Sequence, residues 1–236
     1  MSVVETNRTL GDIVTSAPSS ARVLERFGLD YCCGGRRTLA DACESAGVDT
    51  AEVIAALEAI EPGPTPDWAS MGPAELVDHL EATHHRYLHD ELPRLAALVA
   101  KVHGVHGQNH PELTDVKATF DELHAELAPH LMKEERVLFP MIRELATADT
   151  APQFHCGSLR NPISVMLREH DSTGEQLERL RTITDGYAPP PDACASYRAL
   201  YEGLAELEAD THLHVHKENN LLFPAVLELE HRLAAS

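Results

Sequence analysis

The chain has 236 residues, and its 38 acidic against 19 basic side chains give a formal charge of -19, which repels phosphate backbones and anionic membrane surfaces and argues against nucleic-acid binding. No uncharged apolar run approaches the roughly 20 residues a membrane span needs, and Met1 to Leu10 lacks a basic stretch followed by an apolar one, so a cytoplasmic protein is expected. Five cysteines, two of them adjacent at Cys32 and Cys33, form no disulfide framework, while fifteen histidines outnumber all aromatics together and call for an explanation.

Helix signals dominate in chain order, with no convincing period-two strand. Thr9 with Asp12, Thr38 with Asp41 and Asp49 with Glu52 resemble capping boxes that open short helices. Gly28 closes a helix that starts near Ser19, and Tyr31-Cys32-Cys33-Gly34-Gly35 forms a loop before the helix capped by Thr38. Residues 1–60 therefore read as a small helical domain. Residues 61–67, with three prolines and a glycine in the first six, read as a stiff linker. From 68 to 236 come four amphipathic helical patterns, at about 73–103, 111–146, 162–184 and 192–231, which predict an up-down four-helix bundle and an all-α fold. Pro93, Pro129, Pro140 and Pro224 lie inside these patterns, where each is expected to kink or end its helix.

The bundle sequence repeats itself. His130 to Pro140 and His214 to Pro224 share the pattern H-x-x-K-E-x-x-x-L-F-P at an offset of 84 residues. Each copy carries a His-x-x-x-Glu unit, whose spacing puts imidazole and carboxylate on one helical face, one turn apart. His85 precedes His130 by 45 residues and His170 precedes His214 by 44, so the bundle reads as two copies of a helical hairpin. Each hairpin then supplies two histidines and one glutamate. That is the inventory for two metals, with His85, His130, His170 and His214 terminal and Glu134 and Glu218 bridging. Imidazole and carboxylate without thiolate point to iron or manganese over structural zinc, and an added oxo or hydroxo bridge would leave each metal about five-coordinate with an open position.

Other histidines compete. His79, His84 and His89 flank His85, but alignment of the halves selects His85 and leaves His84 as an outer partner. Only His214 stands four residues before Glu218, which sets His212 and His216 aside. His124 is a candidate second-shell partner. His103, His106, His110 and His231 read as solvent-facing, and the His155-Cys156 pair reads as a turn.

The Tyr31 to Gly35 loop with Thr38-Leu39, the two H-x-x-K-E motifs and the Asn161 to Met166 stretch leading to Glu169-His170-Asp171 closely resemble the repair-of-iron-centres family, also called YtfE/ScdA-type proteins. The resemblance covers almost the whole chain. It implies a vicinal-cysteine domain before a hemerythrin-like bundle, and a di-iron protein that repairs iron-sulfur clusters damaged by nitrosative or oxidative stress. It also implies as ligands the same six residues that the repeat selects, with damaged or apo iron-sulfur proteins and NO or O2 as partners. Three modes follow: iron donation, reduction of NO as an enzyme, and O2 or NO binding or sensing. Four histidines, where the familiar oxygen-binding site has five, favour reactivity over carriage. Cys32 and Cys33 suit redox or nitrosyl handling, with the helix start near Thr38 and with Arg36 and Arg37 expected to lower a thiol pKa. The linker lets the first domain dock on its own bundle or on a neighbour's, the latter giving a homodimer.

Overall fold

A computed structural model describes residues 4–60 and 67–235; the linker expected at 61–67 lies, but for its last residue, outside them. The described residues form helices and no strand, with only isolated bridges between Thr9 and Thr38 and between Phe154 and Gly157. The chain starts with α1 (Leu10–Ser16), α2 (Ser20–Arg26), α3 (Leu39–Ala46) and α4 (Thr50–Glu58). The Thr9 and Thr38 hydroxyls accept from the amides of Asp12 and Asp41 at the expected spacing, whereas the Asp49 carboxylate accepts from that of Ala51 in place of the expected Glu52. Gly28, at a φ of 66°, turns the chain out of α2 into the cysteine loop, a backbone state that costs glycine little.

Four arms follow. The first joins α5 (Pro73–Leu80) to α6 (Arg86–His106), the second α7 (Glu112–Lys133) to α8 (Phe139–Thr147), the third is α9 (Arg160–Ile183), and the fourth joins α10 (Ala195–Lys217) to α11 (Phe223–Ala234). Around the bundle α6 touches α7, α7 touches α9, α9 touches α10 and α10 touches α6, which is the closed square of an up-down bundle. No helix among the described residues is long and apolar enough to cross a membrane.

The prolines do not break the arms as expected. Pro93 and Pro129 are carried inside α6 and α7, whereas Pro140 and Pro224 fall in the first turn of α8 and α11, where the missing N–H is one that a helix start leaves unpaired anyway. The arms stay continuous through π-helical turns at Glu81–His85, Glu134–Leu138 and Glu218–Leu222. In the last two, the amides of Phe139 and Phe223 reach back five residues to the carbonyls of Glu134 and Glu218. Such turns are rare and concentrate at functional sites. The third arm has none, so the two hairpins are not exact copies.

Two apolar layers fill the bundle. One is built from α6, α7, α9 and α10 around Leu95, Phe120, Leu180 and Leu204; the other runs from Trp68 and Leu80 through Phe139 and Met166 to Phe223. Each fully buried side chain of this kind contributes about 1.5–3 kcal/mol. Between the layers lies a polar one.

The first helices dock on the fourth arm. Val215 of α10 enters the core formed by Leu10, Leu24, Tyr31 and Leu39, and His216 meets the Thr15 hydroxyl at 3.2 Å and the edge of Tyr31. Of the two dockings that the linker leaves open, this contact is the one on the chain's own bundle.

Candidate metal centre

Between the two apolar layers, every arm contributes a buried histidine. His85 closes the first π turn, His130 and His214 sit in the last turns of α7 and α10, and His170 lies within α9. Glu134 and Glu218 open the two later π turns and are completely buried. The six residues form two overlapping groups: His85, His214 and both glutamates, and His130, His170 and both glutamates, with candidate ligand atoms within 4.8 Å of one another in each group. The histidine pairs cross between hairpins, so each group takes one imidazole from each copy of the repeat, and the carboxylates are common to both.

All four imidazoles aim Nε2 inward. His85 and His130 approach Glu134 at 3.5 and 3.3 Å, His170 and His214 approach Glu218 at 3.1 and 3.4 Å, and the Nε2 atoms of His130 and His170 stand 3.2 Å apart. Yet both oxygens of Glu134 and of Glu218, with Nε2 of His85 and of His214, find no hydrogen-bond partner. Burial pushes the Glu218 carboxyl up, and the imidazoles of His214 and His170 outweigh it and leave the group well below the usual carboxylate range. Two fully buried carboxylates without donors cost several kcal/mol each unless a cation compensates them. Bound metal is what this donor set fits.

On the far side of each ring from the candidate ligand atoms, the Nδ1 of His85 donates to Glu135 at 3.0 Å, that of His130 to Glu169 at 2.8 Å, and that of His170 to Asn219 at 2.8 Å. Such partners orient imidazole ligands and set the tautomer. His124, expected in this role, instead packs on Phe120, and Glu169 is the partner of His130. Sequence reasoning missed Glu135, Glu169 and Asn219, although each is the immediate neighbour of a candidate ligand. His84 is an outer residue as expected: it stacks on His214, gives Nδ1 to Asp210 at 2.8 Å and takes the Lys217 ammonium on Nε2 at 2.7 Å. The other histidines expected in solvent include exceptions, since His110 bonds Glu112 and Asp192 and His106 contacts the thiol of Cys194 at 3.2 Å. The His155-Cys156 segment is a turn, as expected, with Gly157 at a φ of 78°.

The Cys32 and Cys33 thiols are free and 4.0 Å apart, beside a pocket of about 490 Å³ between the cysteine loop and the α9 and α10 helices. The expected lowering of a thiol pKa fails for Cys32. The hydrogen bond with Cys33, burial and the Asp30 carboxylate hold this thiol well above its ordinary value. Arg36 and Arg37 are exposed, and Arg37 reaches to the Asp41 carbonyl. The Asp30 carboxylate is engaged by the amides of Cys32, Cys33 and Gly34 at 2.8–2.9 Å, so it organises the loop.

Fold and site together define a hemerythrin-like helical bundle with His/Glu clusters that could hold metal. Residues 76–226 match the hemerythrin HHE cation binding domain, and residues 6–61 match the ScdA_N family, a domain of unknown function. Over 222 residues the chain is 36% identical to a probable iron-sulfur cluster repair protein of Haemophilus influenzae, covering 92% of this chain and 96% of that one. The identity is also 36% to the iron-sulfur cluster repair proteins YtfE of Escherichia coli O81 and Shigella boydii serotype 4, over 94% of this chain and 97% of theirs. The chain belongs to the YtfE family of iron-sulfur cluster repair proteins.

Proposed function

We propose that this chain is a cytoplasmic di-iron protein that repairs iron-sulfur clusters damaged by nitrosative or oxidative stress, through iron donation, NO removal or both. The observation that carries the reading is the layer of partnerless, fully buried carboxylate oxygens facing four inward imidazoles. Two iron ions, oxo- or hydroxo-bridged, would be held by His85 with His214 and by His130 with His170, and Glu134 and Glu218 would bridge them. Iron bound there supplies Lewis acidity and one-electron chemistry at positions the six ligands leave open. The names of the relatives support repair, and their targets give this chain its partners: iron-sulfur proteins that have lost or damaged their clusters.

The protein itself contributes a fixed and dry ligand frame. Glu135, Glu169 and Asn219 keep three imidazoles in the tautomer that presents Nε2, while the apolar layers close the site above and below. Cys32 and Cys33 are the redox or NO-handling thiols in this reading, and five free thiols suit a reducing compartment.

The test is anaerobic. Iron-loaded protein is mixed with an apo-ferredoxin and sulfide, and a parallel sample receives NO and a reductant. Cluster assembly faster than with equal free ferrous iron supports donation, and more than one N2O per site supports NO removal by turnover. Absence of both results in the wild type would reject the reading.

A further inference from the structure

Three of the four inward histidines have an acceptor on Nδ1, and one of those acceptors differs in kind. Glu135 and Glu169 are carboxylates, which have no donor face and fix the tautomers of His85 and His130 regardless of anything else. The partner of His170 is the amide of Asn219, which has one accepting and one donating end. Its Oδ1 takes the His170 Nδ1 proton at 2.8 Å, and its Nδ2 donates to the carbonyl of Cys32 at 3.4 Å. The neighbouring Asn220 donates to the same carbonyl at 3.1 Å and to that of Tyr31 at 3.2 Å. With its NH2 directed at Cys32, Asn219 can show only oxygen to His170. The reversed amide would set NH2 against an N–H and oxygen against a carbonyl.

The repeat isolates this device. Glu135 and Asn219 follow Glu134 and Glu218 at the same offset of 84 residues, and each binds the histidine of the preceding arm in its own hairpin. The carboxylate of one copy is an amide in the other, on the arm where the cysteine loop docks. There is no slack in that contact: a Cβ on Gly35 would stand 2.5 Å from the Asn220 Oδ1 and 2.5 Å from the Tyr31 carbonyl. Cys33 lies over Gly174, one turn beyond His170, with its sulfur 4.0 Å from where a Cβ would be.

We propose that Asn219 is a positioning residue through which the Cys32-Cys33 loop sets the hold of the protein on one of its two metals, the one at His130 and His170. The inference rests on the six-residue ligand set proposed above. Displacing the loop frees the amide to turn, His170 loses its fixed acceptor, and the Nε2 lone pair is no longer held toward the metal. His85, His130 and His214 take no part, so the second metal does not respond. A change at either thiol that moves its backbone reaches the metal through two hydrogen bonds.

The experiment is a double-mutant cycle on iron release to a ferrous chelator, after the iron content of each loaded protein is measured. Gly35→Ala moves the loop and leaves every ligand and Asn219 in place; Asn219→Leu removes the relay; Asn219→Asp keeps an acceptor for His170 that no longer depends on the loop. Gly35→Ala and Asn219→Leu are each expected to release one iron per chain about tenfold faster or more, the other iron being unaffected. In the Asn219→Asp background, Gly35→Ala is expected to have no effect. Equal acceleration of both irons, no acceleration, or the same effect of Gly35→Ala in both backgrounds would overturn the proposal. A wild type that loads fewer than two irons would instead remove the ligand set beneath it.

Discussion

His84 lies flat against His214, with ring centroids 5.5 Å apart and planes 7° from parallel. The pair marks where the two hairpins diverge outside the ligand set. In one copy Lys133 pairs with Glu169, which accepts the Nδ1 proton of His130. In the other copy the lysine is Lys217, the residue before the ligand histidine is His84, and an imidazole stacks where a carboxylate would bond. Lys217 is buried, its ammonium donates to His79 at 2.9 Å and His84 at 2.7 Å, and it lies over the Trp68 ring at 5.1 Å. Burial lowers its pKa to about 8 against the opposing pull of Asp210.

The two lysines of the repeat should therefore differ in weight. Lys217→Ala removes a packed stem and two hydrogen bonds from a buried charge, and is expected to lower unfolding free energy by about 2–4 kcal/mol. Lys133→Ala removes a half-exposed pair and should cost less than about 1 kcal/mol. Urea denaturation of both variants is the measurement, and equal losses would count against the asymmetry.

Glu169 holds His130 by Nδ1, so Glu169→Ala should weaken metal binding by about 10–100-fold with little loss of helix. Glu169→Gln keeps an acceptor oxygen and should recover much of that loss. Chelator competition reads both, and an unchanged affinity in Glu169→Ala would refute the role.

Cys32 should resist alkylation. Its thiol is held above the ordinary value of about 9 by Cys33, burial and Asp30, whereas Cys194 is exposed. Iodoacetamide at pH 8, followed by peptide mass spectrometry, should label Cys194 and spare Cys32; equal labelling contradicts the assignment. The raised thiol also has a linkage consequence. Its contribution to stability is complete below pH 9 and is lost as pH rises toward the folded-state value, because only the unfolded chain releases that proton readily.

Much of the candidate centre is legible in the sequence. An i,i+4 pair of His and Glu repeated at a fixed offset puts the same chemistry on two helical faces, and burial in a bundle then leaves few alternatives. The π turns were not legible, since Pro140 and Pro224 look like helix breakers until the extra residue in the turn is seen to place them at a helix start. Outer partners such as Glu169 depend on which arms adjoin, which the repeat alone does not specify. A trace of one was present: the copies read Glu134-Glu135-Arg136 and Glu218-Asn219-Asn220, and the second differs where the cysteine loop lands. The Cys32 ionisation is not legible either, since the next helix and two arginines point to a lowered value while Cys33, burial and Asp30 raise it.

The iron content of anaerobically loaded protein tests most directly the proposed sharing of both carboxylates by two metals. Wild type should hold two irons per chain, and Glu134→Ala and Glu218→Ala should each hold fewer than one, because either substitution strips a ligand from both positions. A variant that kept one full iron would contradict the sharing, and one that kept two would contradict the ligand assignment.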